Sequence, residues 1–430
     1  MIPARLSDRA AVRFWLAVLL TGACTGLAAG ALTKLLEVVQ HAAWSGSGTN
    51  ILQAAEHATA SRHVLVLLGA GLITAAGQVI LHRLSSGNGI DTTEAIAFQA
   101  GRMPPVRTSG SAVLSVLIVG MGASLGREGA PKQAGAVFAN GFSDRQRLSD
   151  EERQLLVACG AGAGMAAAYG VPLGGALFAL EVMRGKLALR YVLPALVTSV
   201  IATLISWTML PNTPTYTIST TAKILPAVGW ALIVGPFAGL LSVLYVRLVR
   251  WADAHRPRGR SRVVAPILVL TSIGVASIWF PQILGNGKDI SQQVFYGAVE
   301  TPLLLAVFGL KPLATLLCLR SGAPGGLFTP SLTLGALLGG VLQHVCSSCW
   351  AGTPPGILGV VAAGSVLAAT TQGPISAVVL MMELTGHARS LVAPLLIAST
   401  VATLVARTIE LRSIYDARLD DGQVAARHQL

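Results

Sequence analysis

The chain has 430 residues, 53% of them hydrophobic and only 12% charged. A soluble domain carries roughly 25% charged residues, so this composition excludes a soluble globular, disordered, fibrous or nucleic-acid-binding protein. It indicates an all-α integral membrane protein with many helices. The net charge of +12, from 31 Lys+Arg against 19 Asp+Glu, reads as positive-inside topology and is compatible with attraction of an anionic substrate.

In chain order, Arg5, Arg9 and Arg13 precede an apolar run at 14–32. The run is long enough to span and many more follow, so it is expected to be an uncleaved first transmembrane helix with a cytoplasmic N-terminus rather than a signal peptide. Further apolar stretches fall at 63–84, 111–125, 155–169, 173–183, 191–210, 227–251, 263–280, 301–319, 327–344, 357–370, 375–384 and 391–409. Several are shorter than the roughly 20 residues that cross a bilayer core as a helix. Short segments broken by Gly and Pro mark irregular backbone, tolerated at membrane depth only around protein-lined or watery cavities. Arg247, Arg250, Arg256, Arg258, Arg260 and Arg262 crowd a short loop between spans, which is expected to be cytoplasmic.

Three blocks repeat in order at a spacing of about 200 residues. GNGID at 87–91 recurs as GNGKD at 285–289, Gly135-Ala136 as Gly335-Ala336, and the stretch 162–181 as 364–383, with Ala166/Ala368, Pro172/Pro374 and Glu181/Glu383 in register. The reading is two halves, 11–210 and 226–430, of a single transmembrane domain at 1–430 with no soluble regulatory domain. Repeated halves with interrupted helices are the pattern of secondary transporters, which bind substrate near the midplane. An odd number of crossings per half would require the repeats to be inverted.

The segment GREGAP at 126–131 lies between an apolar span and another helical stretch. Ionisable residues in such a place are functional candidates. Its glycines permit close approach, and Pro131 suits the first turn of a helix, whose free N–H groups and positive dipole end attract an anion. Glu128 can itself be that anion, a tethered competitor that protonation would release; an Arg127–Glu128 ion pair holding a loop is the structural alternative. In the second half, GGLFTP at 325–330 precedes a helix starting near Pro330, leaving the amides of Leu327 and Phe328 as donors. Two helix N-termini facing one point would favour a small anion without a full buried cation. Asn88 adds an amide donor, or serves as a helix N-cap.

These motifs resemble the CLC family of chloride channels and chloride/proton antiporters. The family's GSGIP, GREGP and GxFxP correspond to 87–91, 126–130 and 326–330; the 162–181 stretch and Tyr415 in RSIYD at 412–416 are similar as well. The resemblance spans nearly the whole chain. It implies a CLC-like fold of tilted and broken helices in two inverted repeats per subunit, a homodimer in the bilayer, and chloride as substrate with no cofactor. Implied roles are gating and proton acceptance for Glu128, and anion binding for Asn88, Arg127, Gly129, Gly326, Leu327, Phe328 and Tyr415. It implies a multi-pass protein of the cell inner (plasma) membrane, without the CBS pair of many relatives.

Asn88 and Asp91 depart from the family's serine and proline. Val182 stands at the position of the inner proton glutamate; Glu181 beside it points elsewhere, since helix neighbours differ by about 100°, and Glu383 is structural. Passive, channel-like conductance is therefore favoured over chloride/proton antiport; a fluoride-selective relative and nitrate are lesser alternatives. No enzyme, metal site or nucleic-acid partner is expected. Cys346 and Cys349 form a CxxC with neither a partner pair nor a redox context. Replacing both with serine is expected to leave anion flux intact; loss of flux from a normally folded double variant would revive a thiol chemistry.

Overall fold

A computed structural model describes residues 9–44, 50–84, 91–218, 224–346, 356–386 and 391–429. The first half contains α1 (Arg9–Trp44), α2 (Ile51–Glu56), α3 (Ala60–Leu84), α4 (Thr92–Phe98), α5 (Pro105–Gly120), α6 (Gly129–Arg145), α7 (Asp150–Tyr169), α8 (Pro172–Phe178) and α9 (Leu189–Ser206). The second contains α10 (Ile224–Ala254), α11 (Ser261–Ala276), α12 (Lys288–Phe295), α13 (Thr301–Ser321), α14 (Phe328–Cys346), α15 (Ile357–Thr371), α16 (Pro374–Thr385), α17 (Val392–Ile409) and α18 (Asp421–Gln429). Among the described residues six helical stretches are long and apolar enough to cross a membrane, and α5, α11, α15 and α16 are apolar but shorter. The chain is a multi-pass, all-α membrane protein, as its composition indicates.

The packing repeats with the sequence. α6 lies against α7 as α14 lies against α15, and α1 against α9 as α10 against α17. α7 is buried from Leu155 to Tyr169 and α15 along its whole length. A helix with no polar stripe has to be surrounded, and the Gly/Ala composition allows neighbours to approach closely. At the α6–α7 crossing a Cβ on Gly135 would lie 1.9 Å from the Gly160 carbonyl oxygen, and at the α14–α15 crossing one on Gly339 would lie 2.2 Å from that of Leu358. The periphery carries apolar side chains outward, such as Leu65, Leu72 and Ile80 on α3 and Leu305 and Leu313 on α13.

The helices that break do so in pairs. α5 gives way to an irregular segment before α6, and α13 to Gly322 at φ 90° and a second irregular segment before α14. The two segments meet in an antiparallel bridge between Gly126 and Gly326, with N–H···O distances of 2.7 Å and 2.8 Å in the two directions. The apolar stretch 173–183 is not one α-helix: α8 passes into a π-helical turn at Ala179–Arg184 that stops at Gly185, φ 71°. The six arginines expected in one loop are divided: Arg247 and Arg250 lie in the last turns of α10 and Arg262 in α11, which leaves Arg256, Arg258 and Arg260 between the helices; Arg250 pairs with Asp421 at 3.0 Å and Arg247 with Glu410 at 3.2 Å.

Lys311 on α13 is 2% exposed. Its ammonium donates to the carbonyls of Ile283, Leu284 and Gly285 at 2.8, 3.0 and 2.7 Å, holding the turn that leads to α12. Lys311→Met strands these three buried carbonyls, each worth about 1–3 kcal/mol when unpaired. A lowered melting temperature of the detergent-solubilised protein is expected; an unchanged one would show that the carbonyls find other donors.

Candidate functional site

Glu128 occupies the N-cap position of α6 but makes no side-chain cap to its own helix. It is 1% exposed, and its carboxylate crosses to the other half. Oε1 accepts from the Phe328 amide at 2.8 Å and the Thr329 amide at 3.4 Å. Oε2 accepts from Thr329 Oγ1 at 2.8 Å and from the Tyr169 hydroxyl at 3.1 Å. The two hydroxyls lie 2.7 Å apart; each has one proton, so at most two of these three hydroxyl contacts are hydrogen bonds at once. A buried carboxylate requires such donors, and the open N-terminus of α14 adds its dipole.

The glycines make this seat. A Cβ on Gly326 would lie 2.0 Å from Glu128 Oε1, one on Gly126 2.1 Å from the same atom, and one on Gly129 2.9 Å from the Gly326 amide nitrogen. Arg127 and Glu128 part company, with no ion pair between them among the described residues. Arg127 lies with its guanidinium carbon 4.8 Å from the centre of the Tyr169 ring, and its buried Nε has no partner. It lines a cavity of about 220 Å³ with Glu37, Tyr169, Trp207, Lys288 and Asp289.

On the other side of Glu128, aromatic rings follow one another. Tyr169 and Phe328 have centroids 6.1 Å apart, Phe328 and Phe178 6.4 Å, and Phe178 and Tyr415 5.6 Å. The buried Tyr415 hydroxyl has no hydrogen-bond partner among the described residues. Tyr415 sits in a tight turn at Ile414–Asp416, closed by Ser413 Oγ on Asp416 at 2.6 Å. Lys132, 8% exposed, places Nζ 4.4 Å from the centre of the Tyr415 ring. Asp91 caps α4 by accepting from the Thr93 amide at 2.9 Å.

Several sequence expectations meet specific geometry here. The amides that hold Glu128 are those of Phe328 and Thr329; that of Leu327 is not among them. α14 begins at Phe328, two residues before Pro330. Two full cations stand nearby, Lys132 over the Tyr415 ring and the half-buried Arg127 over the Tyr169 ring. Asn88 and Cys349 lie outside the described residues, as does the side chain of Cys346. Val182, 3% exposed, is in the π-helical turn, and its carbonyl accepts from Arg427.

Glu181 is turned away from that site. Its carboxylate accepts from the Ile375 and Ser376 amides at 3.2 and 2.6 Å, while Glu383 accepts from the Leu173 and Gly174 amides at 3.1 and 2.7 Å. Each carboxylate caps the helix start of the opposite half. Sequence reasoning missed Tyr169, Thr329 and Lys132. Lys132 carried a readable signal, a charge within an otherwise apolar segment; the hydroxyls of Tyr169 and Thr329 gain meaning only from the fold.

Gly326→Ala is expected to expel the Glu128 carboxylate from the start of α14. A structure of the variant showing Glu128 still within hydrogen-bond reach of the Phe328 amide would overturn the steric argument.

The family model described as "Voltage gated chloride channel" matches residues 70–407. The chain is 34% identical over 313 residues to the voltage-gated ClC-type chloride channel ClcB of Salmonella typhi, covering 70% of this chain and 73% of that one. The corresponding protein of Escherichia coli O81 (strain ED1a) is likewise 34% identical, over 316 residues, 70% of this chain and 73% of the relative. Among solved structures, a slow cyanobacterial Cl⁻/H⁺ antiporter superposes with a TM-score of 0.82 at 22% identity, covering 96% of this chain and 98% of that one. A CLC-type fluoride/proton antiporter follows at 0.75 and 19% identity, covering 95% and 98%. With the helix starts, glycine bridge and gluing carboxylate already described, these matches establish that the chain belongs to the voltage-gated chloride channel (CLC) family.

Proposed function

We propose that this chain carries chloride across the membrane as a channel or uncoupled carrier, with Glu128 as a tethered gate. The observation that carries this reading is the seat of the Glu128 carboxylate, whose donors suit any small anion that displaces it. The route runs from the Arg127 cavity, past the start of α14 and the Phe328–Phe178–Tyr415 rings, to the mouth near Asp91, with Asn88 as a further donor. Protonation of Glu128 removes the competing charge and frees the seat. The 34%-identical relatives named as chloride channels support chloride as the substrate.

Absence of proton coupling rests on Val182, which carries no proton, and on Glu181, whose carboxylate is taken up by α16. The second reading, chloride/proton antiport, rests on the presence of both Glu128 and Tyr415 and needs a different inner proton path. Fluoride is the lesser alternative, since Asn88 departs from the family's usual serine. We read the assembly as a homodimer in the inner membrane, its N-terminus cytoplasmic, each subunit one transmembrane domain of two inverted halves. The reciprocal Gly126–Gly326 bridge, and the capping of α16 by Glu181 and of α8 by Glu383, support a twofold relation between halves. The exposed apolar side chains Leu173, Leu193, Ile375 and Leu396 offer the subunit surface.

The test uses purified protein in liposomes under a chloride gradient with valinomycin, recording chloride efflux and internal pH together. Chloride movement without proton pumping is expected; uphill proton movement would replace this reading with antiport, and fluoride release without chloride movement would change the substrate. In the same assay Glu128→Ala is expected to keep chloride flux and lose its dependence on pH. Unaltered pH dependence would remove Glu128 as the gate.

A further inference from the structure

Lys132 stands near the candidate pathway, and the reading above leaves its charge unused. It stands four positions after Glu128, hence one turn along the same face of α6, with the opposite charge. Its ammonium makes no ion pair and no hydrogen bond among the described residues; its close neighbour is the face of the Tyr415 ring, 4.4 Å from the centroid. That ring belongs to the residue whose buried hydroxyl is also without a partner.

Helix stability does not account for Lys132. A cation in the first turns of a helix is opposed by the helix dipole, and an unpaired cation at membrane depth is costly. A ring face attracts an ammonium but leaves its N–H groups without acceptors. Asp91, which lies in the field of Lys132 and of Arg418, makes no ion pair with Lys132 within 4 Å. An ammonium with spare donors beside a buried hydroxyl with a spare proton constitutes a site that is complete only with an anion present.

We propose that Lys132 is an anion-holding residue of the inner half of the pathway, its ammonium retaining a halide beside the Tyr415 hydroxyl while the Glu128 carboxylate occupies the start of α14. The inference rests on the chloride-transport reading and deepens it. Lys132 supplies a full positive charge where helix dipoles and hydroxyls alone would give a weaker hold. It also answers the like charge of Asp91, which would otherwise repel anions from that mouth.

The test is calorimetric titration of chloride into the purified full-length protein, comparing wild type, K132M, K132R and D91N/K132M, with thermal melting in parallel. K132M is expected to bind chloride about tenfold more weakly or worse, the size of a lost charge-assisted hydrogen bond, while K132R stays within about threefold of wild type. D91N/K132M, which removes both charges and so avoids stranding Asp91, is expected to stay weak; it also serves if K132M alone does not fold. Wild-type affinity in K132M would overturn the proposal. Restored affinity in D91N/K132M would overturn it too, by reducing Lys132 to a counter-charge for Asp91. A wild type that binds chloride but conducts none would remove the transport reading and leave this one standing; one that conducts chloride with K132M binding as tightly would remove this one alone.

Discussion

A carboxylate buried to 1% exposure among membrane-depth helices has to be surrounded by donors, and the donors that Glu128 finds belong to the other half of the chain. That requirement explains the local architecture. The Phe328 and Thr329 amides are free because α14 starts where α13 has already stopped, so a continuous helix would have consumed them. The approach is close enough only because Gly126 and Gly326 lack side chains and pair backbone to backbone. Irregular backbone at this depth is affordable because each broken end is satisfied by the opposite broken end.

The same economy recurs at α8 and α16. Glu181 caps α16 and Glu383 caps α8, so the two halves exchange carboxylates across their seam. An exposed ion pair is worth little, but a carboxylate on two free amides at a helix start satisfies groups that have no water available. The seam between halves is therefore held by helix-end chemistry more than by side-chain charge pairs. Around it, α7 and α15 supply the rigid body, packed at Gly/Ala crossings without a polar face.

Full cations inside the fold are each answered differently. Lys311 is saturated by three carbonyls, and the terminal nitrogens of Arg412 are taken by the Asp416 and Leu419 carbonyls together with Asp421. Arg427 joins Asp416 to the carbonyls of Val182 and Met183, tying the turn that bears Tyr415 to the turn that bears Val182. Arg127 and Lys132 differ from these three. Neither makes a hydrogen bond or ion pair among the described residues; each has only a ring face beside it, Tyr169 for Arg127 and Tyr415 for Lys132.

The sequence by itself determined the membrane class, the helical content, the repeated blocks and Glu128 and Phe328 as residues to examine, whereas Tyr415 came only from the family resemblance. Those properties reside in composition, in spacing and in charges or glycines set within apolar runs, all of which are local. Glu181 and Val182 were legible as neighbours pointing apart, because helix geometry is local too. Only the tertiary structure decided that Glu128 reaches across to Phe328 and Thr329, that Tyr169 joins it, that Glu181 caps α16, and that Lys132 stands over Tyr415. These pairs are separated by tens to hundreds of residues; the bond from Phe328 to Glu128 spans 200. Periodicity carries no information about which helix end will face which side chain. That is set by the folding of one half against the other, where every buried donor has to find its acceptor at once.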